Sequence, residues 1–204
     1  MINNRVYLDN NATLRLDKSC KTAMIRAMDC VGNPSSVHKE GRQARELIER
    51  AREQIADVID ADPENITFTS GASEGIATLL RDNEIKCAKI EHPSVLAWCD
   101  SSLCLDEESR VVLQDISRST VQLANSETGI IQDVSGGLYM SDIVQAFGKI
   151  KFSFKKSDLK SAVISAHKIG GPKGVGAIIT NSETEFNTQI RGGGQELGRR
   201  SGTE

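Results

Sequence analysis

The sequence predicts an α/β fold, a mostly parallel sheet with helices on both faces. Three observations carry this. Short apolar runs alternate with amphipathic or polar segments along the whole chain. Ala44, Leu47, Ile48, Ala51, Ile55, Val58 and Ile59 recur at helical spacing with charges between them. Ile66-Thr67-Phe68-Thr69 runs through Ser70-Gly71-Ala72-Ser73-Glu74 into a further apolar segment, the strand, turn and helix order of such folds.

In chain order, Val6-Tyr7-Leu8 reads as a short strand or extended arm that ends in the polar turn Asp9-Asn10-Asn11, with the arm reaching to about residue 30. Residues 32–36 form a loop. The amphipathic helix follows and stops at Asp62-Pro63-Glu64-Asn65, since proline cannot continue it. Residues 66–69 form a buried strand, and a second helix starts at about Gly75. A strand ends at Ile90, and His92-Pro93-Ser94 opens a helix, with proline in its first turn. Residues 111–113, 120–123, 137–140 and 162–165 read as strands. Residues 175–179 form another, antiparallel to its neighbour. Gly192-Gly193-Gly194 marks a loop.

With 204 residues, 38% hydrophobic and 26% charged, the chain suits one domain with an ordinary core. The net charge of -3, with both signs interspersed, argues against nucleic acid as a partner. No apolar run approaches the ~20 residues of a membrane span. Residues 1–6 lack the apolar stretch of a signal peptide. Five cysteines without a Cys-x-x-Cys pair suit free thiols in a reducing compartment, hence a cytoplasmic protein. No metal-ligating set is expected.

Several residues could carry chemistry. Ser165-Ala166-His167-Lys168 follows an apolar strand and precedes a Gly-Gly-Pro turn, which puts Lys168 at a strand end where α/β sheets hold ligands. A partly buried amine there suits Schiff-base chemistry, although a solvated loop lysine is the other reading. The small residues 70–73 before a helix suit an anion at its N-terminus, or an ordinary capped turn. Asp142 after an apolar segment pairs with a protonated ring nitrogen or caps a helix. His92 stacks on an aromatic ligand and moves a proton, or is structural.

The order of these signals resembles that of the PLP (pyridoxal 5'-phosphate)-dependent cysteine desulfurases of the class V aminotransferase group. The resembling stretches are residues 7–13, 32–36, 67–74, 91–92, 125–129, 142–145, 165–174 and 192–203. The resemblance implies a fold-type-I PLP-dependent transferase large domain over 1–204. It implies that Lys168 holds the cofactor as an internal aldimine and that Asp142 keeps the pyridinium nitrogen protonated. Gln145 then bonds the ring hydroxyl oxygen, and His92 stacks on the ring. Ala72, Ser73, Ser165 and His167 hold the phosphate, with serine at 73 where the family usually has threonine. Thr203 matches a threonine that reaches the phosphate of the other subunit, so a homodimer with a shared site is expected. Asn125 and Ser126 fall in the substrate loop.

Three departures follow. The family's C-terminal small domain, which carries its nucleophilic cysteine and a substrate-binding arginine, is expected to be absent. Ser126 stands where the family usually has asparagine. The segments 80–89 and 98–120 are shorter than in the family. Sulfur transfer from cysteine is therefore doubtful for the chain alone, unless the small domain sits on a separate chain. The alternatives are a PLP enzyme of altered chemistry and a non-catalytic PLP-binding or interaction protein.

Overall fold

A computed structural model describes residues 6–203. The reading of residues 1–5 as the start of the arm, without a leader, lies outside the described residues. From Val6 the chain is extended but joins no sheet, and it turns at residues 10–12. The arm contains a helix the sequence reading did not include, α1 (Lys18–Met28). Its sequence does carry apolar residues at helical spacing, Cys20, Ala23, Met24, Ala27 and Met28, but none of its residues is buried.

The amphipathic helix is α2 (Lys39–Ile59), capped by His38 and closed by Asp60 in the left-handed region at φ 56°. A short 3-10 turn at Pro63–Asn65 leads into β1 (Ile66–Thr69). Helix α3 (Ala72–Leu80) starts three residues before the expected Gly75. Then come β2 (Lys86–Ala88), α4 (Pro93–Leu96), β3 (Asp100–Leu103), β4 (Ser141–Asp142), α5 (Phe154–Ser157), β5 (Ser161–Ser165) and β6 (Gly176–Thr180).

One sheet has the order β1-β6-β5-β4. Strand β4 runs parallel to β5, and β6 is antiparallel to both β5 and β1, as the sequence suggests for residues 175–179. Strands β2 and β3 are parallel. The extended segment 119–123 spans the space between β2 and β4. Thr120 N donates to Lys86 O at 2.9 Å, and Leu123 N donates to Asp142 O at 3.0 Å. Parallel bridges Lys86↔Ser119 and Thr120↔Met140 complete the connection. The two sheets thus read as one mostly parallel layer.

Three strand expectations shift. Residues 111–113 form no strand; Val111 makes one antiparallel bridge to Leu105 across a tight turn. Residues 120–123 contribute single bridges rather than a continuous ladder. The strand expected at 137–140 begins at Ser141, because Gly136 and Gly137 take φ of 89° and 92°, which is not an extended backbone.

Period-two alternation builds a core on each face. Ala162 and Ile164 of β5, with Ala177 and Ile179 of β6, pack with Ala56 and Ile59 of α2. Val163 and Ile178 point the other way, to Ile76 and Leu79 of α3 and Val95 of α4. Gly75 allows α3 to lie flat on the sheet: a Cβ there would stand 3.0 Å from Ile178 and 3.1 Å from Val163. Among the described residues, no helix is long and apolar enough to cross a membrane.

Candidate functional site

The carboxyl ends of β4 and β5 open onto a cavity of about 520 Å³, whose rim also takes in the N-termini of α3 and α4. Such a switch region is where parallel sheets hold ligands. The last residues of β4 and β5, Asp142 and Ser165, line it, and the turns that follow supply further polar groups.

Strand β5 ends at Ser165, which is buried, and passes into a 3-10 turn over Ala166–Lys168. Gly171 N donates to Ala166 O at 2.9 Å and folds the turn back on itself. A Cβ at Gly171 would meet Ala166 Cβ at 2.8 Å, so glycine is required for this close approach. The turn projects Lys168 and His167 into the cavity. Lys168 Nζ donates to Asn11 O of the arm at 2.5 Å. Burial pushes its amine below the usual lysine value, while Asp142 and Asp9 oppose that shift. His167 Nδ1 lies 3.1 Å from Thr13 Oγ1. Burial, then Lys168 and Lys173, hold its imidazole below the ordinary histidine range.

Asp142 ends β4 and is fully enclosed on its protein side. Its Oδ1 accepts from Val144 N at 2.9 Å. Burial pushes its carboxyl above the usual carboxylate range, against the Val144 N–H and the charges of His92 and Lys168. Gln145 Nε2 donates to Asn11 O at 3.0 Å, and its Oε1 accepts from Lys149 Nζ at 2.7 Å. Asn11 O thus accepts from both Lys168 and Gln145, while Asn11 Nδ2 donates to Ser126 O at 2.6 Å. The arm is strapped across three parts of the cavity.

At the opposite wall, Gly71 precedes α3, and Ala72 and Ser73 form its first turn. A Cβ at Gly71 would meet nothing within 4 Å, so the space before this helix end is open. Gly176 of β6 packs against Gly71, where a Cβ would stand 2.7 Å from its backbone. Ser70 N donates to Glu74 Oε2 at 2.7 Å, and Arg200 Nε pairs with Glu74 Oε1 at 3.0 Å. Glu74 is therefore matched by cationic charge, while Lys168 and Lys173 also line the cavity. Free helix N–H groups and these cations make this wall suited to an anion.

His92 caps α4: Ser94 N donates to its Nδ1 at 3.2 Å, and Ser94 Oγ lies 2.6 Å away. A backbone N–H can only donate, so in the neutral imidazole Nδ1 is the acceptor and the proton sits on Nε2.

Ala72, Ser73, His92, Ser126, Asp142, Gln145, Ser165, His167 and Lys168 all line this cavity. Asn125 does not line it. Its amide is buried and donates to Ile90 O at 2.7 Å, while its Oδ1 accepts from Glu127 N and Thr128 N. It shapes the loop that presents Ser126. Thr203 also lies elsewhere, in an apolar hollow beside Leu47, Ile48, Phe68 and Val175. Gln122, Thr13, Ser94 and Lys173 line the cavity without having been singled out. Lys173 was detectable as a cation inside the Gly170–Gly174 turn. Gln122 carried no signal, because a glutamine in an apolar run does not reveal which way it faces.

Residues 6–116 and 105–201 match the family described as aminotransferase class-V. The chain is 37% identical to a cysteine desulfurase of Enterobacter agglomerans over 235 residues, covering 98% of this chain and 59% of the relative. It is 36% identical to one from Nostoc sp. over 234 residues, with 98% and 58% covered. Both alignments exceed the length of the chain, so the relatives carry residues within the aligned span that this chain lacks. Among solved structures, a NifS-like protein superposes with a TM-score of 0.89 at 34% identity, covering 98% of this chain and 65% of that one. A NifS-like protein from Rickettsia africae gives 0.86 at 33% identity, with 98% and 64% covered. The chain spans about three fifths of the length of the curated relatives it matches. Fold, cavity and similarity agree, and the chain belongs to the class-V aminotransferase family, a family of PLP-dependent enzymes.

Proposed function

We propose that this chain is a cysteine desulfurase-like protein that binds pyridoxal 5'-phosphate in the cavity at the ends of β4 and β5, with Lys168 as the covalent anchor. One observation carries the reading. A depressed lysine amine, a buried carboxyl, a capping histidine and an open helix N-terminus surround a single cavity. The site fits the cofactor. Asp142 is buried without a full ion pair, which a ring N–H would supply, and the anion wall has the charge a phosphate requires.

When bound, the cofactor supplies an electron sink for carbanion chemistry. The chain's own residues do the rest. The N–H groups at Ala72 and Ser73, with the Ser165, Ser73 and His167 side chains, hold the phosphate. Asp142 keeps a proton on the ring nitrogen. Gln145 would bond the ring oxygen, and His92 would cover the ring with its Nε2 proton free. Lys168, whose Nζ donates to Asn11 O here, would be the residue that holds the cofactor covalently. Asn125 sets the loop, and Ser126 faces the substrate. We further read residues 1–204 as one cofactor-binding domain of a cytoplasmic homodimer, in which Thr203 serves the partner's site.

Among the described residues no cysteine lines the cavity, so a thiolate for the sulfur step would have to come from outside them; the second reading is a PLP protein of altered or lost desulfurase chemistry. The sulfur step needs a thiolate at the substrate. We expect this chain alone to bind PLP yet release little sulfide from cysteine. The test is the absorbance spectrum after PLP is added. A band near ~400 nm, typical of the lysine-bound cofactor, is expected in the wild type and absent in Lys168→Ala. A band that survives the substitution would overturn the anchor, and brisk sulfide release would overturn the altered-chemistry reading.

A further inference from the structure

Next to His92 lies a carboxyl group that the proposed function leaves unused. Glu91 is 5% exposed. Its Oε1 accepts from Gln122 N at 2.7 Å, and its Oε2 is buried with no hydrogen-bond partner. It forms no ion pair among the described residues. The titratable groups that bear on it are Asp142, Cys87 and Cys99, none of them a cation. An ionised carboxylate held by one N–H in such a place is strongly disfavoured. Asp142, by contrast, faces the cavity within the field of Lys168 and His92. Two neighbouring carboxyls do not both ionise cheaply, so the one that faces Lys168 takes the charge.

Position adds a second role. The turn that carries His92 is tied to the segment bearing Gln122 and Ser126 by two hydrogen bonds, Gln122 N to Glu91 and Asn125 Nδ2 to Ile90 O. Both side-chain partners are buried.

We propose that Glu91 is a positioning residue that acts as a neutral carboxylic acid, fixing the His92 turn to the Gln122 segment and leaving Asp142 as the charged member of the carboxyl pair. The reading rests on the cofactor site proposed above. Burial first, then Asp142 and Cys87, push the Glu91 carboxyl up to about 8, against the Gln122 N–H, so it stays protonated at neutral pH.

The sign of the pH effect follows. An acid whose pKa is raised by folding loses stabilisation as pH climbs from its unfolded value toward its folded value. Urea midpoints of the cofactor-free wild type and Glu91→Gln are compared from pH 5 to pH 9. The wild-type midpoint is expected to fall relative to the variant up to about pH 8 and then run parallel to it. A constant difference over the whole range would overturn the proposal. In the second arm, PLP binding is read from the visible band. Glu91→Gln, which keeps the acceptor for Gln122 N–H, is expected to bind within threefold of the wild type. Glu91→Leu is expected to lose tenfold or more. A tenfold loss in Glu91→Gln, or wild-type binding in Glu91→Leu, would overturn the positioning role. Should Glu91→Leu lack a folded circular dichroism spectrum, the glutamine variant decides alone. Failure of the wild type to capture PLP would instead sink the cofactor reading, and the urea comparison would still judge the charge state of Glu91.

Discussion

At Asp142 a carboxyl group has given up its water while gaining one backbone N–H and the weaker opposing influence of His92 and Lys168. Folding without a ligand therefore works against its ionisation. The carboxyl is pushed above its ordinary value, so it withdraws stability from the empty protein as pH rises from the unfolded value of 3.8. Asparagine keeps an acceptor for Val144 N–H and carries no charge to bury. Asp142→Asn should therefore melt at or above the wild-type temperature at pH 7 without cofactor, and the gap should close as pH falls through the acid range. The same substitution should weaken PLP binding by about 1.5–3 kcal/mol, the worth of a hydrogen bond to a charged group. Differential scanning calorimetry and a binding titration check the two halves. Lys168 follows the same logic, since its depressed amine is a cost in the empty chain and an asset to a nucleophile.

Among the elements, α2 and the C-terminal segment are joined by a buried ion pair. Arg52 Nη1 and Nη2 reach Glu196 Oε2 and Oε1 at 2.9 and 2.6 Å, and Arg52 Nη1 also donates to Ile66 O at 2.6 Å. Glu196 in turn accepts from Phe68 N of the edge strand β1, and Arg52 stacks 4.9 Å from the Phe68 ring centre. Glu196 and Leu197 hold left-handed backbones at φ 49° and 57°, a strain the pair stabilises. Removing one partner leaves the other charged, buried and unmatched. Glu196→Ala should cost about 3–5 kcal/mol in urea unfolding, whereas the double change Arg52→Met with Glu196→Leu should recover most of it. Helix α2 was legible from its apolar stripe, but this clamp was not, because the partners lie 144 residues apart in sequence. Helix α1 and the two-residue β4 were missed or displaced for a related reason. A two-residue strand is too short to show periodicity, and its start is set by Gly136 and Gly137, while the apolar positions of α1, Cys20, Ala23, Met24, Ala27 and Met28, pack into no buried core.

For the molecule as a whole, the proposed dimer has its own consequence. Thr203 lies in an apolar hollow of about 410 Å³ with Leu47, Ile48, Phe68 and Val175, which adjoins the cavity at Ser70 and Gly174 without Thr203 lining that cavity. Leu47 and Val175 are 47% and 39% exposed there, which leaves apolar area for a second copy. If a second copy covers it, folding is coupled to association, and the melting temperature should climb by several degrees between micromolar and hundred-micromolar protein. A melting temperature independent of concentration, with a monomeric mass in light scattering, would reject the dimer.

The amino-acid order by itself determined the alternation of strands and helices, the antiparallel β6, the family, and nine of the twenty residues that line the cavity. Those features reside in local patterns: apolar runs, glycine turns, and motifs short enough to read in line. Only the tertiary structure decided that Asn125 is spent on its own loop, that Gln122 faces the cavity, that the arm straps Lys168, and that Glu91 is buried without a counter-charge. Each of these depends on which distant group arrives next to a side chain. Desolvation and pairing are properties of that neighbourhood, and no window of sequence contains it.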